Sequence, residues 1–356
     1  MKKTIIFLIP DLEMGGAERM VVNITNSLSR EHFIPKIVVL RKEGGYINLL
    51  KKDTEIIDLN IRRIRNALIP IFRILRKIKP DIVFSAYGEL NAFITTGIIL
   101  FPKIKFVARE TNVVSLHVKR KEILFFYNFY HLYHRIICQS EDMKQDLIEN
   151  LGIKNGRLIK INNPVDIKFI ENQITKNNKP AIFSEHKKNV LAIGNLSSRK
   201  GFDNLLKVFS HLKDEEIALH ILGDGRDREE LIELKNKLDL KQVFFHGKKS
   251  NPYNYLYHAD LFVLSSRYEG FPNVLLEAGA CGTYSLANHC PGGISEIIQE
   301  KINGEIASVE DHSNFARRIQ KSLDISKDRE KIKNSIRSRF SLEKIIQEYT
   351  AIFSDL

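Results

Sequence analysis

Cysteine is almost missing from this chain. Cys138, Cys281 and Cys290 are the whole set, and no two stand in a CxxC pair. An odd, sparse set argues against a disulfide framework and fits a reducing cytosol. Adjacent His289-Cys290, with Cys281 nearby, is a poor tetrahedral spacing, so these are read as packed strand and loop residues and no metal is expected. No stretch reaches the roughly 18–20 uninterrupted apolar residues of a spanning helix. The opening Lys2-Lys3 and the run Thr4–Ile9 are too short for a secretory leader and lack its small-residue cleavage site. The run ends at Pro10-Asp11 and reads as a buried first strand. Internal repeats at solenoid periods and low-complexity segments are also lacking.

What the chain does have is an ordinary globular composition, 43% hydrophobic and 28% charged over 356 residues, a length that suggests two domains. Short β-branched runs alternate with amphipathic stretches. Strands are predicted at 4–9, 36–40, 55–59, 81–85, 105–108, 135–139 and 158–162, then at 190–194, 218–222, 243–246, 261–265, 284–288 and 305–308. Near-continuous apolar strands separated by helices imply parallel sheets covered on both faces. The fold class expected is therefore α/β with two doubly wound domains. The boundaries are drawn at residues 1–165, a polar Lys/Asn-rich linker at 166–188, a second domain at 189–340, and a C-terminal helix at 341–356 that returns to the first domain. The net charge of +12 is lopsided: residues 1–165 carry +11 and residues 166–356 carry +1. A basic first half seeks an anionic surface, phospholipid or nucleic acid.

In an open α/β sheet ligands sit beyond the carboxyl ends of the strands, so the strand-to-helix turns carry the argument. Gly15-Gly16-Ala17-Glu18-Arg19 follows strand one and opens a helix, where free N–H groups favour a phosphate. It lacks the third glycine of a dinucleotide fingerprint and the Gly-Lys-Ser/Thr of a P-loop, and a turn that merely needs flexibility would look the same. Gly194-Asn195-Leu196-Ser197-Ser198-Arg199-Lys200-Gly201 follows the first strand of the second half. Cations before a helix oppose its dipole, which fits a shared anionic ligand or two solvated surface charges. The strongest segment is Ser265-Ser266-Arg267-Tyr268-Glu269-Gly270-Phe271-Pro272-Asn273-Val274-Leu275-Leu276-Glu277. Asn273 is expected as the N-cap of a buried helix. Glu269 precedes it and Glu277 lies one turn inside. Buried carboxylates need partners. Sugar hydroxyls would serve, while the amides of Asn273, Val274 and Leu275 would face a phosphate; the alternatives are a solvated loop residue at Glu269 and a helix carboxylate paired with a lysine at Glu277.

Taken in order with Gly223-Asp224-Gly225, Phe245-His246-Gly247, Pro291-Gly292-Gly293 and Glu296, these motifs resemble the retaining, family-4 type of glycosyltransferases with the GT-B architecture: two Rossmann-like domains facing across a cleft. The resemblance is strong over residues 190–300 and thin over 40–130. It implies a cytoplasmic enzyme transferring a hexose or N-acetylhexosamine from a nucleotide diphosphate sugar, a UDP-sugar as first guess, to a glycan or lipid-linked acceptor in surface polysaccharide, lipopolysaccharide or glycoconjugate assembly. It implies donor contacts from Gly15 and Gly16, from Asn195, Arg199 and Lys200, from His246 and Gly247 near the base, and from Gly270, Phe271, Pro272, Asn273, Val274 and Leu275. Glu269 would hold the transferred sugar and Glu277 the ribose. Many relatives have a histidine where this chain has Arg109-Glu110; these two, with Lys200 and Glu269, are the catalytic candidates. Relatives carry arginine where Asn195 stands, and Arg199 is the residue able to replace that charge. No cofactor is expected, since the nucleotide sugar is a substrate. The chain also lacks the Asp-x-Asp of metal-dependent sugar transfer; Asp224-Gly225-Arg226-Asp227 has the wrong spacing.

Residues 60–79 and 118–133 mix cations with Ile, Leu, Phe and Tyr. Such segments dock on the anionic inner surface of a membrane, or bury their aromatics and expose a solvated face. The first reading makes the enzyme peripheral on the cytoplasmic face. A nucleic-acid binder would explain the charge but not Glu269 and Glu277, so no nucleic acid is expected. A glycoside hydrolase needs two carboxylates flanking one bond, and these two are split between a turn and a helix. A sugar-nucleotide epimerase or a binding-only member of the same fold remains open.

Overall fold

The computed structural model describes residues 2–13, 15–175, 178–212 and 214–356. It divides into two units, residues 1–164 with 342–356, and residues 165–341. Each is built on one sheet, and every strand pairing within the two sheets is parallel.

The first unit holds a 7-stranded sheet. Its strands are β1 (Lys3–Ile9), β2 (Phe33–Val39), β3 (Glu55–Asp58), β4 (Ile82–Ser85), β5 (Lys105–Arg109), β6 (Arg135–Cys138) and β7 (Leu158–Lys160). Their order is β3-β2-β1-β4-β5-β6-β7. The apolar run in β1 is explained by burial on both faces: Ile6 and Leu8 enter one core, Ile5, Phe7 and Ile9 the other. Helix Gly16–Ser27 covers the second face with Met20, Val21 and Ile24. The C-terminal helix Leu342–Asp355 completes that layer. Its Phe353 ring meets Phe7, Phe33 and Phe84 at centroid distances of 6.1, 6.5 and 5.7 Å, all edge to face. Such pairs add to area burial.

The second unit holds a 6-stranded sheet in the order β10-β9-β8-β11-β12-β13. The strands are β8 (Lys188–Ile193), β9 (Ile217–Leu222), β10 (Val243–Phe245), β11 (Leu261–Leu264), β12 (Ser285–Asn288) and β13 (Gly304–Ala307). Helices Phe202–Ser210 and His312–Asp324 pack on Val190, Ala192, Leu219 and Val263. Helices Tyr253–His258, Asn273–Ala280 and Arg329–Phe340 pack on Leu191, Leu222 and Phe262. All of the predicted strands appear, with ends shifted by no more than a few residues.

Residues 166–188, expected as a linker, belong to the second unit instead. Asp166 caps helix Ile167–Gln173, its side chain accepting from the Phe169 amide at 2.9 Å. Ile167, Ile170 and Phe183 are buried in the core of that unit, and the Val165 amide donates to the Phe340 carbonyl at 2.8 Å. The polar composition masked three anchors that were enough to pin the segment. No helix among the described residues is long and apolar enough to cross a membrane. Cys138 and Cys281 are buried, Cys290 is half-buried, and all three are free thiols.

Emptying the aromatic cluster tests the role of the C-terminal helix. Phe353→Ala should cost about 3–5 kcal/mol, the usual figure for a buried phenylalanine, read as a lower urea midpoint for the first unit. An unchanged midpoint would show that the helix is dispensable.

Candidate active site

In the second unit the strand order reverses between β8 and β11, the place where an open α/β sheet leaves a crevice at its carboxyl edge. The turn after β8 brings Arg199 and Lys200 there, and the turn after β11 brings Glu269. Glu269 is 4% exposed. Lys200 Nζ donates to its Oε1 at 2.5 Å, Arg199 donates to its Oε2 at 2.5 Å, and the Ser266 hydroxyl donates to Oε1 at 2.7 Å. Burial pushes this carboxyl up, but the Lys200 and Arg199 charges outweigh it and hold it below its ordinary value. The carboxylate is therefore ionised.

Several contacts lock the two turns together. The Arg267 amide donates to the Arg199 carbonyl at 2.8 Å, and the Ser265 hydroxyl to the Lys200 carbonyl at 2.9 Å. The Arg267 guanidinium grips both Asp203 oxygens at 2.8 and 2.7 Å and also reaches the Ser198 carbonyl. Asn288, buried at the end of β12, donates to the Ser266 carbonyl at 2.9 Å and accepts from the Val309 amide at 2.8 Å. Gly201 has φ +62°, and a Cβ there would lie 2.2 Å from the Ser265 carbonyl oxygen. Gly292, at φ +124°, would place a Cβ 2.3 Å from the Glu269 carbonyl oxygen. Only glycine lets these backbones approach so closely. The Lys200 stem lies over Gly194, its Cε 3.3 Å from where a Cβ would stand.

The remaining candidates of this unit fall around the same edge or behind it. Asn195 is exposed. Arg199, four residues on, supplies a second cation beside Lys200. Asn273 is the first residue of its helix rather than the cap; Pro272 holds the cap position, and no side chain caps the helix. Its rigid, donor-free ring starts the helix through the Pro272 carbonyl, which accepts from the Leu275 amide at 3.0 Å. Gly270 accepts from the Gly293 amide at 2.8 Å, and Phe271 is buried against Phe340 at 5.5 Å. Val274 and Glu277 are half-buried. His246 and Gly247 follow the edge strand β10. The Gly247 carbonyl accepts from the Gly223 amide at 3.0 Å, and His246 Nε2 lies 3.0 Å from His220 Nδ1. Burial pushes the His220 imidazole down to about 4.

The first unit shows its own reversal, between β1 and β4. Gly15 and Gly16 open the helix there. The Glu18 side chain folds back over Gly15, its Oε2 2.2 Å from the Cβ position. Burial raises its carboxyl, and the Arg109 charge counters part of that. Arg109 and Glu110 are both buried, 1% and 2% exposed, and diverge. Arg109 donates to the Tyr349 hydroxyl at 3.1 Å and to Asn163 at 2.6 Å, leaving one guanidinium nitrogen without a partner. Glu110 Oε1 accepts from the Tyr130 hydroxyl at 2.6 Å and Asn91 at 3.0 Å; Oε2 accepts from Tyr127 at 3.4 Å. Burial pushes this carboxyl up. Tyr127, Tyr130 and Tyr133, read as part of a possible membrane-docking stretch, are core residues.

Sequence reasoning missed Ser266, Arg267, Asp203 and Asn288 in one unit and Asn91, Tyr130, Asn163 and Tyr349 in the other. The one available signal was polarity at the ends of apolar strands, as at Asn288. The described residues contain no group of three or more His, Cys, Asp or Glu arranged to hold a metal ion.

The chain matches two family models: Glycosyltransferase Family 4 over residues 14–169 and Glycosyl transferases group 1 over residues 173–339. An uncharacterized glycosyltransferase of Methanocaldococcus jannaschii is 29% identical over 253 residues, 65% of this chain and 61% of that one. The N-acetylgalactosamine-N,N'-diacetylbacillosaminyl-diphospho-undecaprenol 4-alpha-N-acetylgalactosaminyltransferase of Campylobacter jejuni is 24% identical over 354 residues, 95% of each chain. Among solved structures, HepE of Anabaena in complex with UDP superposes with a TM-score of 0.83 at 19% identity, covering 100% of both chains, a likeness of fold. With both family models matched in succession along nearly its whole length, and two parallel-sheet Rossmann-like units to carry them, the chain belongs to the family-4-type glycosyltransferases of GT-B fold.

Proposed function

We propose that this glycosyltransferase moves a hexose or N-acetylhexosamine from a nucleotide diphosphate sugar, a UDP-sugar in the first instance, to a lipid-linked glycan acceptor in surface polysaccharide or glycoconjugate synthesis. The observation that carries the reading is the buried Glu269 carboxylate held by Lys200, Arg199 and Ser266 at the strand-order reversal of the second unit. The likeness to the Campylobacter N-acetylgalactosaminyltransferase and to a lipopolysaccharide core biosynthesis glycosyltransferase of Rhizobium meliloti supports the acceptor class, and the UDP complexes of HepE support the donor.

Transfer breaks the bond between the anomeric carbon and the diphosphate, so negative charge grows on the leaving phosphate. Preorganised cations and amides aimed at that charge are the main catalytic resource. Lys200 and Arg199 supply it here. An ammonium has three donors; Glu269 takes one from Lys200, and the others serve a phosphate. The Glu269 oxygens accept from sugar hydroxyls, and Glu277 accepts from the ribose. The leaving phosphate takes the acceptor proton and the new bond forms on the face it vacates, which retains the anomeric configuration. No step runs through a metal or a cofactor.

The acceptor side falls to the first unit. Arg62, Arg63, Arg65, Arg73, Arg76 and Lys77 are exposed there. Ile69, Ile99, Leu100 and Phe125 are exposed apolar side chains of the same unit, 65%, 66%, 55% and 59% accessible. Cations and apolar groups on one unit suit an anionic lipid interface. The enzyme then works as a peripheral protein on the cytoplasmic face of the membrane.

Three outcomes follow. Lys200→Ala and Glu269→Gln should each lower transfer from a UDP-sugar by about 100-fold or more with circular dichroism unchanged; near-normal turnover in either removes that residue from the site. Glu269 also gives a pH signature. Its carboxyl sits below the ordinary 4.5 in the folded chain, so the stability it adds is complete above that value and is lost as pH falls through the lowered one. Urea melts of wild type and Glu269→Gln should converge on acidification, and a constant gap would contradict the ionised cluster. Vesicle flotation should require anionic lipid and weaken with salt. Replacing Arg62, Arg73 and Lys77 by alanine should cost about two orders of magnitude in partitioning, at roughly 1 kcal/mol per cation; salt-independent binding would contradict the docking face.

A further inference from the structure

A cavity of about 330 Å³ opens in the first unit beyond the carboxyl ends of β4 and β5, lined by Gly88, Glu110, Val114, Lys119, Ile123 and Tyr127 among others. Glu110 is fixed within it. Its Oε1 is satisfied by Tyr130 and Asn91, and its backbone carbonyl accepts from Gln139 at 2.8 Å. Among the described residues Oε2 has only the long 3.4 Å contact from Tyr127. Arg109, the adjacent cation, spends its hydrogen bonds on Asn163 and Tyr349 instead. The result is a carboxyl oxygen, 2% exposed as part of its residue, with acceptor capacity to spare in a wall that sets the apolar Ile123 and Tyr127 beside the polar Glu89, Thr111, Asn112 and His117. A buried polar atom short of partners is costly unless a ligand completes it.

Two cations stand at the mouth of the cavity. Lys119 and Arg120 are exposed there. Arg120 shares the Glu89 carboxylate at 3.3 Å, whereas Lys119 has no ion pair among the described residues. The volume lies at the low end of the roughly 300–1,000 Å³ of small-molecule sites, the scale of a single sugar ring. Gly88 keeps it open: a Cβ there would stand 3.1 Å from Glu110 Oε2 and 3.6 Å from the Tyr127 hydroxyl.

We propose that this cavity is a monosaccharide subsite for a sugar that carries a phosphate, with Glu110 Oε2 accepting from a ring hydroxyl and Lys119 pairing with the phosphate. This rests on the glycosyltransferase reading, and it adds that the acceptor is a phosphate-bearing sugar recognised at its ring. Glu110 is here a substrate-binding residue for the acceptor, not for the donor.

The test uses the full chain and calorimetric titration with N-acetylglucosamine 1-phosphate, glucose 1-phosphate, methyl N-acetylglucosaminide and inorganic phosphate, with UDP titrated into the same protein. At least one sugar phosphate should bind more tightly than its parts. Glu110→Gln and Gly88→Ala should each weaken it by tenfold or more. Lys119→Ala should weaken the sugar phosphate and leave the methyl glycoside unchanged. Gly88→Ala adds a single methyl at the cavity wall, so it keeps the test intact should Glu110→Gln fail to fold. UDP binding by wild type with no saturable binding of either sugar phosphate overturns the subsite and leaves the glycosyltransferase reading standing. Phosphate binding as tightly as the sugar phosphates, with no loss in Gly88→Ala, also overturns it. Failure of both UDP and the sugar phosphates sinks both readings.

Discussion

One electrostatic constraint organises the second unit: a carboxylate taken out of water has to be neutralised where it sits. Glu269 meets that demand with two adjacent cations from a different turn and a hydroxyl from its own. An ion cluster of this kind gains little net stability over an apolar core of the same shape, while losing one partner leaves an uncompensated charge. Its presence is better explained by chemistry than by folding. The surrounding structure supports that view, because so much of it fixes the two turns. The Arg267 clamp on Asp203, the Asn288 bridge and the close approaches at Gly201 and Gly292 all act on the backbone that carries Arg199, Lys200 and Glu269.

The two units share a plan and use it differently. Both reverse strand order beside their first strand, and both place charged side chains at that edge. In the second unit two cations face one carboxylate, which stays ionised and leaves a positive charge in excess. In the first, Glu110 is buried and Glu18 half-buried with less compensation, and burial raises both carboxyls. One unit is thus equipped to meet an anion that gains charge, the other to meet neutral hydroxyls beside an outlying phosphate.

Much of this was legible in the residues alone. Strands covered on both faces read as apolar runs, so Thr4–Ile9 and Leu261–Ser265 announce themselves. Glu269 stands out because a carboxylate between an apolar strand and an apolar helix has to be explained. What could not be read depends on strand order. That Arg199 reaches Glu269 requires β8 to lie beside β11, and sequence spacing of seventy residues says nothing of that. The same holds for Tyr130 and Asn91 around Glu110, and for Tyr349, which meets Arg109 from the far end of the chain. The stretch 166–188 misled because composition outweighed two well-spaced isoleucines, and Asn273 misled because a proline before a helix can begin it without a side-chain cap.

The account stands or falls on where a donor diphosphate lies. A crystal structure of the chain with a UDP-sugar answers that directly. The account predicts a phosphate oxygen within about 3 Å of Lys200 Nζ, a charge-assisted hydrogen bond, with sugar hydroxyls on the Glu269 carboxylate. A diphosphate bound elsewhere, with Lys200 and Arg199 still closed on Glu269 and no sugar against it, would contradict it.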